Sequence, residues 1–192
     1  MKKLVTLLPC LLLVLLACGD DRSAQPPTDP GQSCVLDTPE TPFTCMRNAI
    51  STQKDADYER SISETFVFSP TLADSLDGAF TGSPVYAGWN KTVEMQTLNL
   101  LYDDTSFTKV DWGAPTPLIN KNTFVRWSVS YSLKTVTTAA PTDTVVYKGV
   151  AHIDVRLENG NWRVTFWDEQ ATVPGFSTWG YLRGVNRLRL MP

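Results

Sequence analysis

Two ionisable side chains in the second half of this 192-residue sequence, Asp168 and His152, have the types that acid–base chemistry requires. Apolar and polar residues alternate over residues 162–169, which is typical of a strand with one buried face. The alternation places Asp168 on the apolar face with Val164 and Phe166. A carboxyl group that faces an apolar interior is desolvated, which raises its pKa and is typical of catalytic and ligand-binding acids. Asp168 is therefore the candidate catalytic residue.

Other interpretations of this strand pair stay open. If the strand has reached the rim of the sheet at Asp168, the carboxylate lies in solvent. The same alternation places His152, the only histidine, on the outer face opposite Trp167, as a surface side chain packed on a ring. Arg156 and Arg163 are predicted to oppose one another on this face, where like charges destabilise a sheet. An acidic partner group would relieve them, so this outer face is the candidate contact for a homodimer or an envelope protein.

The N-terminus predicts export and lipid attachment. Lys2 and Lys3 precede a short apolar run that ends at Leu16, which is typical of a secretory signal and shorter than the roughly 20 residues of a membrane span. The following Ala17 and Cys18 complete a match that resembles a bacterial lipobox. We therefore predict a signal peptide over residues 1–17 and acylation of the Cys18 thiol, which anchors a protein stably when several chains are added. The alternative is an ordinary cleaved signal with a chance cysteine.

The predicted location is the cell envelope, in the outer rather than the inner membrane. Position 19 is glycine and lacks the aspartate that signals inner-membrane retention in some bacteria. Residues 18–33 are rich in proline and polar residues and are predicted to form a tether, and residues 34–192 a single domain. Cys34 and Cys45 remain after processing, and an exported compartment permits them to form a disulfide. A metal site there is disfavoured because no nearby histidine or cysteine completes it.

Composition excludes several classes of function. Removal of Lys2 and Lys3 with the signal peptide changes the formal net charge from −3 to −5. A mildly acidic chain without basic clusters lacks the positive patch that nucleic acid binding requires. The sequence contains no phosphate-binding glycine loop, zinc spacing, dinucleotide fingerprint or nucleophile elbow. We therefore expect neither a cofactor, nor a metal, nor a nucleic acid partner.

The order of predicted elements indicates an α+β fold. Helices are predicted to begin at Thr41, Asp55 and Asn90, where a capping residue precedes or opens an apolar periodic segment. Alternating segments then predict strands over residues 105–113, 124–134, 145–157 and 162–169, and Asn159-Gly160 is a strong hairpin signal. Helices followed by antiparallel strands predict helices packed on one face of a curved, mostly antiparallel sheet.

Several local motifs accompany this order of elements. They are Thr65-Phe66-Val67-Phe68-Ser69-Pro70, Trp89 with Glu94, Tyr147-Lys148-Gly149, the segment from Trp162-Arg163 to Trp167-Asp168, and Thr178-Trp179-Gly180. With these motifs the sequence resembles the nuclear transport factor 2-like superfamily, the cone-shaped fold of SnoaL-type cyclases and ketosteroid isomerase. It is most similar to the lipid-anchored bacterial members. The resemblance implies a cone whose functional groups lie at its open end, between helices and sheet.

The resemblance also implies which residue would be the general base of an isomerase. In the isomerase type an aspartate before a proline is the general base, and the matching residue here is Ser69, a hydroxyl that cannot act as a base unaided. Isomerase chemistry is therefore disfavoured. The candidate pocket walls for a small apolar ligand are aromatic, although residues at these spacings are also typical of an ordinary core. They are Tyr58, Trp89, Trp112, Trp127 and Tyr131.

Three hypotheses follow from these features. We favour a non-catalytic, membrane-anchored module that binds a small apolar ligand or another envelope protein. The alternatives are a SnoaL-like or dehydratase-like enzyme for a small apolar or polycyclic substrate, with Asp168 as acid or base, and a purely structural lipoprotein. The cone interior discriminates between them. A cavity that holds Asp168 with a second polar group, which could be Tyr58, Tyr131 or Arg183, favours ligand binding or catalysis. An interior plugged by Trp89, Trp112 and Trp127 argues against both.

Overall fold

The computed structural model describes residues 34–192, and these residues form one compact unit. The predicted signal peptide, Cys18 and the tether over residues 18–33 lie outside the described residues. Within the described part, none of the helices has the length and apolar character needed to cross a bilayer.

The described residues form an α+β fold with five α-helices and a six-stranded mixed sheet. The helices are α1 (Thr41–Thr52), α2 (Asp55–Ser61), α3 (Leu72–Ser75), α4 (Lys91–Asp104) and α5 (Trp179–Leu190), with a 3₁₀ turn at Gly78–Phe80. The strands are β1 (Ile62–Ser69), β2 (Thr105–Trp112), β3 (Thr116–Lys121), β4 (Phe124–Thr137), β5 (Thr144–Glu158) and β6 (Asn161–Thr172). The predicted fold class is confirmed.

The sheet has the order β1-β6-β5-β4-β2, and β3 also pairs with β4. Only β1 lies parallel to its neighbour, β6, among these pairs, so the sheet is mostly antiparallel as predicted. Strands β5 and β6 are joined at Asn159 and Gly160, which have positive φ angles of 50° and 80°. Both angles are those of a type I′ turn, which explains the Asn-Gly pair.

Capping residues explain where two of the longer helices begin. The Asn90 side chain accepts a hydrogen bond from the Val93 amide and caps α4 as predicted. Thr178 caps α5 in the same way by accepting from the Tyr181 amide. At α1 the predicted cap is displaced by one residue, because Glu40 occupies the cap position and Thr41 is already helical.

One face of the sheet packs against the helices. The inward residues of β4 alternate as predicted and are buried: Val125, Trp127, Val129, Tyr131 and Leu133. Cys34 and Cys45 are joined by a disulfide, with Cα atoms 5.4 Å apart, which ties the first described residue to α1. The long strands therefore carry a row of large side chains into the space beneath α4 and α5.

Candidate functional site

Two β-bulges in β6 change which acidic residue faces the interior. The register of the β5–β6 pair shifts between Asp154 and Val155 and again between Val150 and Ala151. An extra residue on one strand reverses the side to which the following side chains point. Before the first bulge the even-numbered residues Trp162 and Val164 of β6 face inward. After the bulge the odd-numbered residues Trp167 and Glu169 face inward instead.

Asp168 consequently lies on the outer face, opposite His152, and the inward placement predicted for it is wrong. The carboxylate of Asp168 is half-buried and accepts a hydrogen bond from the Gln170 side-chain amide. His152 is on the outer face as predicted, although it pairs with Asp168 and not with Trp167. Asp168 therefore does not face the interior, where the sequence pattern predicted a catalytic acid or base.

The acid that faces the interior is Glu169, which is 3% exposed. Its carboxylate accepts hydrogen bonds from the Tyr131 hydroxyl at 2.9 Å and from Trp167 Nε1 at 3.0 Å. Burial raises the pKa of Glu169 to about 7, against the opposing effects of Arg183 and the two hydrogen bonds. Glu169 is thus a buried acid with a raised pKa, the property that the sequence pattern predicted for Asp168.

A second buried carboxylate, Glu94, is supplied by the first turn of α4. It accepts hydrogen bonds from the Tyr58 hydroxyl at 2.6 Å and from Trp89 Nε1 at 2.9 Å. Arg183 of α5 donates to Glu94 through Nη2 at 2.6 Å and through Nε at 3.1 Å. Arg183 Nη1 lies 3.8 Å from Glu169, so one guanidinium lies between two acids. We call Tyr58, Glu94, Tyr131, Glu169 and Arg183 the interior polar cluster.

Aromatic rings enclose the guanidinium of Arg183, which is only 2% exposed. It lies over the rings of Phe68, Trp167 and Trp179, at 4.6, 4.3 and 4.5 Å from their centroids, the geometry of cation–π contacts. Burial by itself would lower the pKa of Arg183. The facing Glu94 acts in the opposite direction, and the pKa of Arg183 is raised overall. The cation is therefore permanent and serves as the counter-ion of the buried acids.

The two tyrosines of the cluster are held as neutral hydrogen-bonding groups. Burial raises the pKa of both Tyr58 and Tyr131, and the adjacent carboxylates act in the same direction. Besides donating to Glu169, the Tyr131 hydroxyl accepts a hydrogen bond from the Trp179 amide at 2.9 Å. These contacts tie β4 and β6 to the first turn of α5.

The segment over residues 71–90 and α5 close the cluster on the side away from the sheet. The Tyr86 hydroxyl donates to the Gly180 carbonyl at 3.1 Å, and the Thr178 hydroxyl donates to buried Asp74 at 2.7 Å. Trp89 packs on Phe68 with ring centroids 5.2 Å apart. A cavity between α4 and α5 that borders the cluster has a volume of about 10 Å³, the size of one water molecule. A separate, open hollow of about 450 Å³ lies between Ser75 and Pro84, and none of the cluster residues lines it.

The five predicted pocket walls belong to the interior, with Trp112 partly buried, and each of them contacts another interior side chain. The ring of Trp112 lies 6.3 Å from Tyr131, Phe43 contacts Trp127 at 6.4 Å, and Tyr58 and Trp89 both donate to Glu94. A ligand contact by any of them stays a prediction. No three potential metal ligands among residues 34–192 are grouped so as to hold a metal ion.

The sequence indicated Arg183 as a possible polar group of the interior and Glu94 as part of a local motif, but it did not predict that the two form an ion pair. Trp179, Leu182, Arg183 and Asn186 follow the spacing of one helical face after the cap Thr178, which would have placed Arg183 inward. Glu94 sits beside inward Val93 in α4. Their meeting across 89 residues of sequence depends on helix packing, which the sequence pattern alone does not specify.

The helices and curved sheet have the fold of nuclear transport factor 2-like cone proteins, and the interior polar cluster lies between the helices and the sheet. No protein-family model and no curated protein matches this sequence. Solved structures show the likeness in fold. A putative scytalone dehydratase from Novosphingobium aromaticivorans has a TM-score of 0.57 at 10% identity, covering 70% of this chain and 81% of that one.

Two further structures have the same likeness. A function-unknown protein from Mycobacterium tuberculosis has a TM-score of 0.54 at 9% identity, covering 78% of this chain and 84% of that one. A hexachlorocyclohexane dehydrochlorinase has a TM-score of 0.50 at 6% identity, with 71% and 86% covered. The set mixes enzyme names with a protein of unknown function, so the fold by itself assigns no activity here.

Proposed function

We propose that this chain is a lipid-anchored protein of the bacterial cell envelope, attached through Cys18 to the outer membrane, whose cone domain is a non-catalytic interaction module. The observation that carries the proposal is the filled interior. Glu94 and Glu169, the two carboxylates of the interior polar cluster, are engaged by Arg183 and by indole or hydroxyl donors, and the cavity beside them is about 10 Å³. A substrate pocket requires several hundred Å³.

The same observation weighs against the dehydratase-like alternative. An acid or base must reach its substrate within hydrogen-bond distance, and Glu169 is enclosed by Tyr131, Trp167 and Arg183. Asp168, the residue first considered for this role, faces outward at the opposite side of the sheet.

The outer face of the sheet is the proposed interaction surface. Strand β4 presents the small residues Ser128, Ser130 and Ser132 there, which permit close approach of another chain. The adjacent strand adds His152 and the ion pair of Asp154 with Arg126, whose Nε lies 2.6 Å from the carboxylate. A homodimer or another envelope protein would be recognised by this mixture of small and charged side chains.

Metabolic labelling with radioactive palmitate tests the anchor in a bacterium that processes lipoproteins. The full chain should incorporate label, and Cys18→Ser should abolish it. Cys10→Ser is the matched control and should keep the label, because Cys10 leaves with the signal peptide. Label that persists in Cys18→Ser would refute the attachment.

Thermal-shift measurements test the closed interior. The full-length protein in detergent should show no shift with steroids or polycyclic aromatic compounds. Trp127→Ala provides the positive control, because removal of a buried ring leaves an apolar cavity that indole can refill. A saturable shift of the wild-type protein that disappears in Tyr131→Phe would overturn the non-catalytic proposal.

A photo-activated cross-linking residue at Ser130 tests the interaction surface in cells. We expect a discrete adduct from Ser130 and none from Thr52, an exposed position on α1. Equal cross-linking from both positions would refute the outer face as the interface.

A further inference from the structure

The end of the sheet nearest to Cys34 carries two guanidinium groups with no carboxylate oxygen of the described residues within ion-pair distance. Arg156 and Arg163 are directly opposed in β5 and β6, so their Cβ atoms lie about 4.5–5.5 Å apart. Within residues 34–192 neither forms an ion pair, and Arg163 Nε is buried without a hydrogen-bond partner. Two adjacent cations with an unused donor have the chemistry of a site for an oxyanion.

The acids of the flanking strands are engaged elsewhere. Glu158 accepts a hydrogen bond from the Ser63 hydroxyl at 2.9 Å. Glu64 pairs with Lys91 at 2.7 Å, which lowers the pKa of that carboxyl. The guanidinium of Arg156 lies over the Phe124 ring, with Cζ 4.7 Å from the centroid, and the residue is exposed. Arg163 adds to the effect of Lys91 on the Glu64 pKa, so Glu64 offsets Arg163 in part, whereas the exposed guanidinium of Arg156 stays open to an anion from outside the domain.

The chain enters the domain at this same end. The Cys34 carbonyl accepts from Arg60 Nη2 at 3.0 Å, and the Leu36 carbonyl accepts from the Trp162 amide at 2.8 Å. The disulfide with Cys45 holds the segment in place. Cys34 follows Cys18 by only sixteen residues, so even a fully extended connection keeps this end within about 55 Å of a lipid on Cys18.

Exposed apolar side chains accompany the two arginines. Val35 is 58% exposed and Leu157 is 38% exposed. The arginines lie three residues from the Asn159-Gly160 turn, which is about 10 Å along the strands. A combination of basic and apolar side chains at one end of a domain is suited to the interface of an anionic membrane, where each basic residue contributes about 1 kcal/mol.

We propose that this end of the domain, which we call the anchor end and define by Val35, Arg156, Leu157 and Arg163, docks onto anionic phospholipid. The arginine pair binds a lipid phosphate, and the two apolar side chains enter the headgroup layer. The inference rests on the proposed acylation of Cys18. It adds a second contact that sets the orientation of the cone on the membrane, with the sheet running away from the surface.

The test uses the mature acylated protein in vesicles that carry a nitroxide quencher at the headgroup. A fluorophore is attached to Thr123→Cys at the anchor end, or to Thr81→Cys in the segment that closes the cone; both positions are exposed. In vesicles with phosphatidylglycerol we expect strong quenching at Thr123→Cys and little at Thr81→Cys. In neutral phosphatidylcholine vesicles the difference should largely disappear.

Charge removal should then reverse the docking. Arg156→Gln with Arg163→Gln is expected to lower the ratio of docked to undocked protein about 30-fold, since two basic residues contribute about 2 kcal/mol at such a surface. The matched control is Arg187→Gln with Arg189→Gln on α5, which removes the same charge and should leave quenching unchanged. Equal quenching in both lipids, or retention of quenching in the Arg156 and Arg163 variant, would overturn the proposal.

Two further measurements separate the sources of failure. Flotation of the vesicles reports the lipid attachment alone, so protein that fails to float refutes the anchor, whereas floating protein without quenching at Thr123→Cys refutes only the docking. Inorganic phosphate at constant ionic strength should compete weakly. Release of the domain by phosphate but not by chloride at low millimolar concentration would assign the pair to a free phosphate compound and overturn the membrane assignment.

Discussion

Removal of the buried guanidinium is the sharpest test of the filled interior. Arg183→Ala leaves Glu94 without the two hydrogen bonds it receives from Nη2 and Nε, and it leaves Glu169 beside an empty space. Breaking a buried ion pair on one side costs about 3–5 kcal/mol, because the remaining charge is desolvated without compensation. At about 2–4 °C per kcal/mol for a domain of this size, the melting temperature should fall by about 6–20 °C.

The control for this prediction lies on the same helix. Arg189 forms an ion pair with Asp104 at the surface, where about half of each side chain is exposed. Arg189→Ala removes the same charge from α5 and should cost no more than about 1 kcal/mol. Differential scanning calorimetry or urea unfolding of both variants measures the contrast.

A chemical rescue distinguishes loss of the cation from general damage to α5. Ethylguanidinium can enter the space left by Arg183→Ala, between Glu94 and the rings of Phe68 and Trp167. At a concentration ten times its dissociation constant a ligand stabilises by about 1.4 kcal/mol, which would raise the melting temperature by about 3–6 °C. Arg189→Ala should show no such rescue.

Two results would refute the reasoning. If Arg183→Ala and Arg189→Ala lose similar stability, Arg183 is not the counter-ion of a closed interior. If Arg183→Lys is as stable as the wild type, the forked hydrogen bonds to Glu94 carry little of the energy, since lysine keeps the charge but not the fork.

Glu169→Gln should flatten the pH dependence of the free energy of unfolding. Burial raises the pKa of Glu169 to about 7 in the folded state, against about 4.5 in the unfolded state. The protonated carboxyl of the wild type therefore stabilises the fold fully below pH 4.5, and this stabilisation is lost as the pH rises through 7. Melting curves from pH 4 to 8 should therefore show a growing advantage of the variant, and parallel curves would contradict this. Gly149→Ala would bring Cβ to 2.8 Å from Cζ of Tyr131, and such overpacking should cost about 1–3 kcal/mol; Gly78→Ala, with nothing within 4 Å, is the neutral control in urea unfolding.

Local patterns determined much of the fold. The Asn159-Gly160 turn, the alternation along β4 and the cap at Asn90 depend on neighbouring residues alone, and each was read correctly from the sequence. Short β3 was not recognised because all of its residues are exposed, so it lacks the alternation that a half-buried strand shows.

The interior acid depended on tertiary structure. A bulge adds one residue to a strand and has no reliable sequence signal. The side chains that follow it in the strand then point to the opposite face of the sheet. For this reason the strand pattern indicated Asp168 where the structure has Glu169. The alternation predicted Asp168 inward and Glu169 outward, and both placements are wrong.

The sequence by itself indicated the fold class and the outward row that contains Arg156 and Arg163, because both depend on residue type and on spacing along one or two adjacent strands. It also predicts a lipobox at Cys18, which lies outside the described residues. Only the tertiary structure decided that the cone is closed. That outcome requires α5 to place Arg183 beside Glu94 and Glu169, three residues from separate elements. Their mutual neutralisation depends on distances of a few ångströms that arise only once the helices have packed on the sheet.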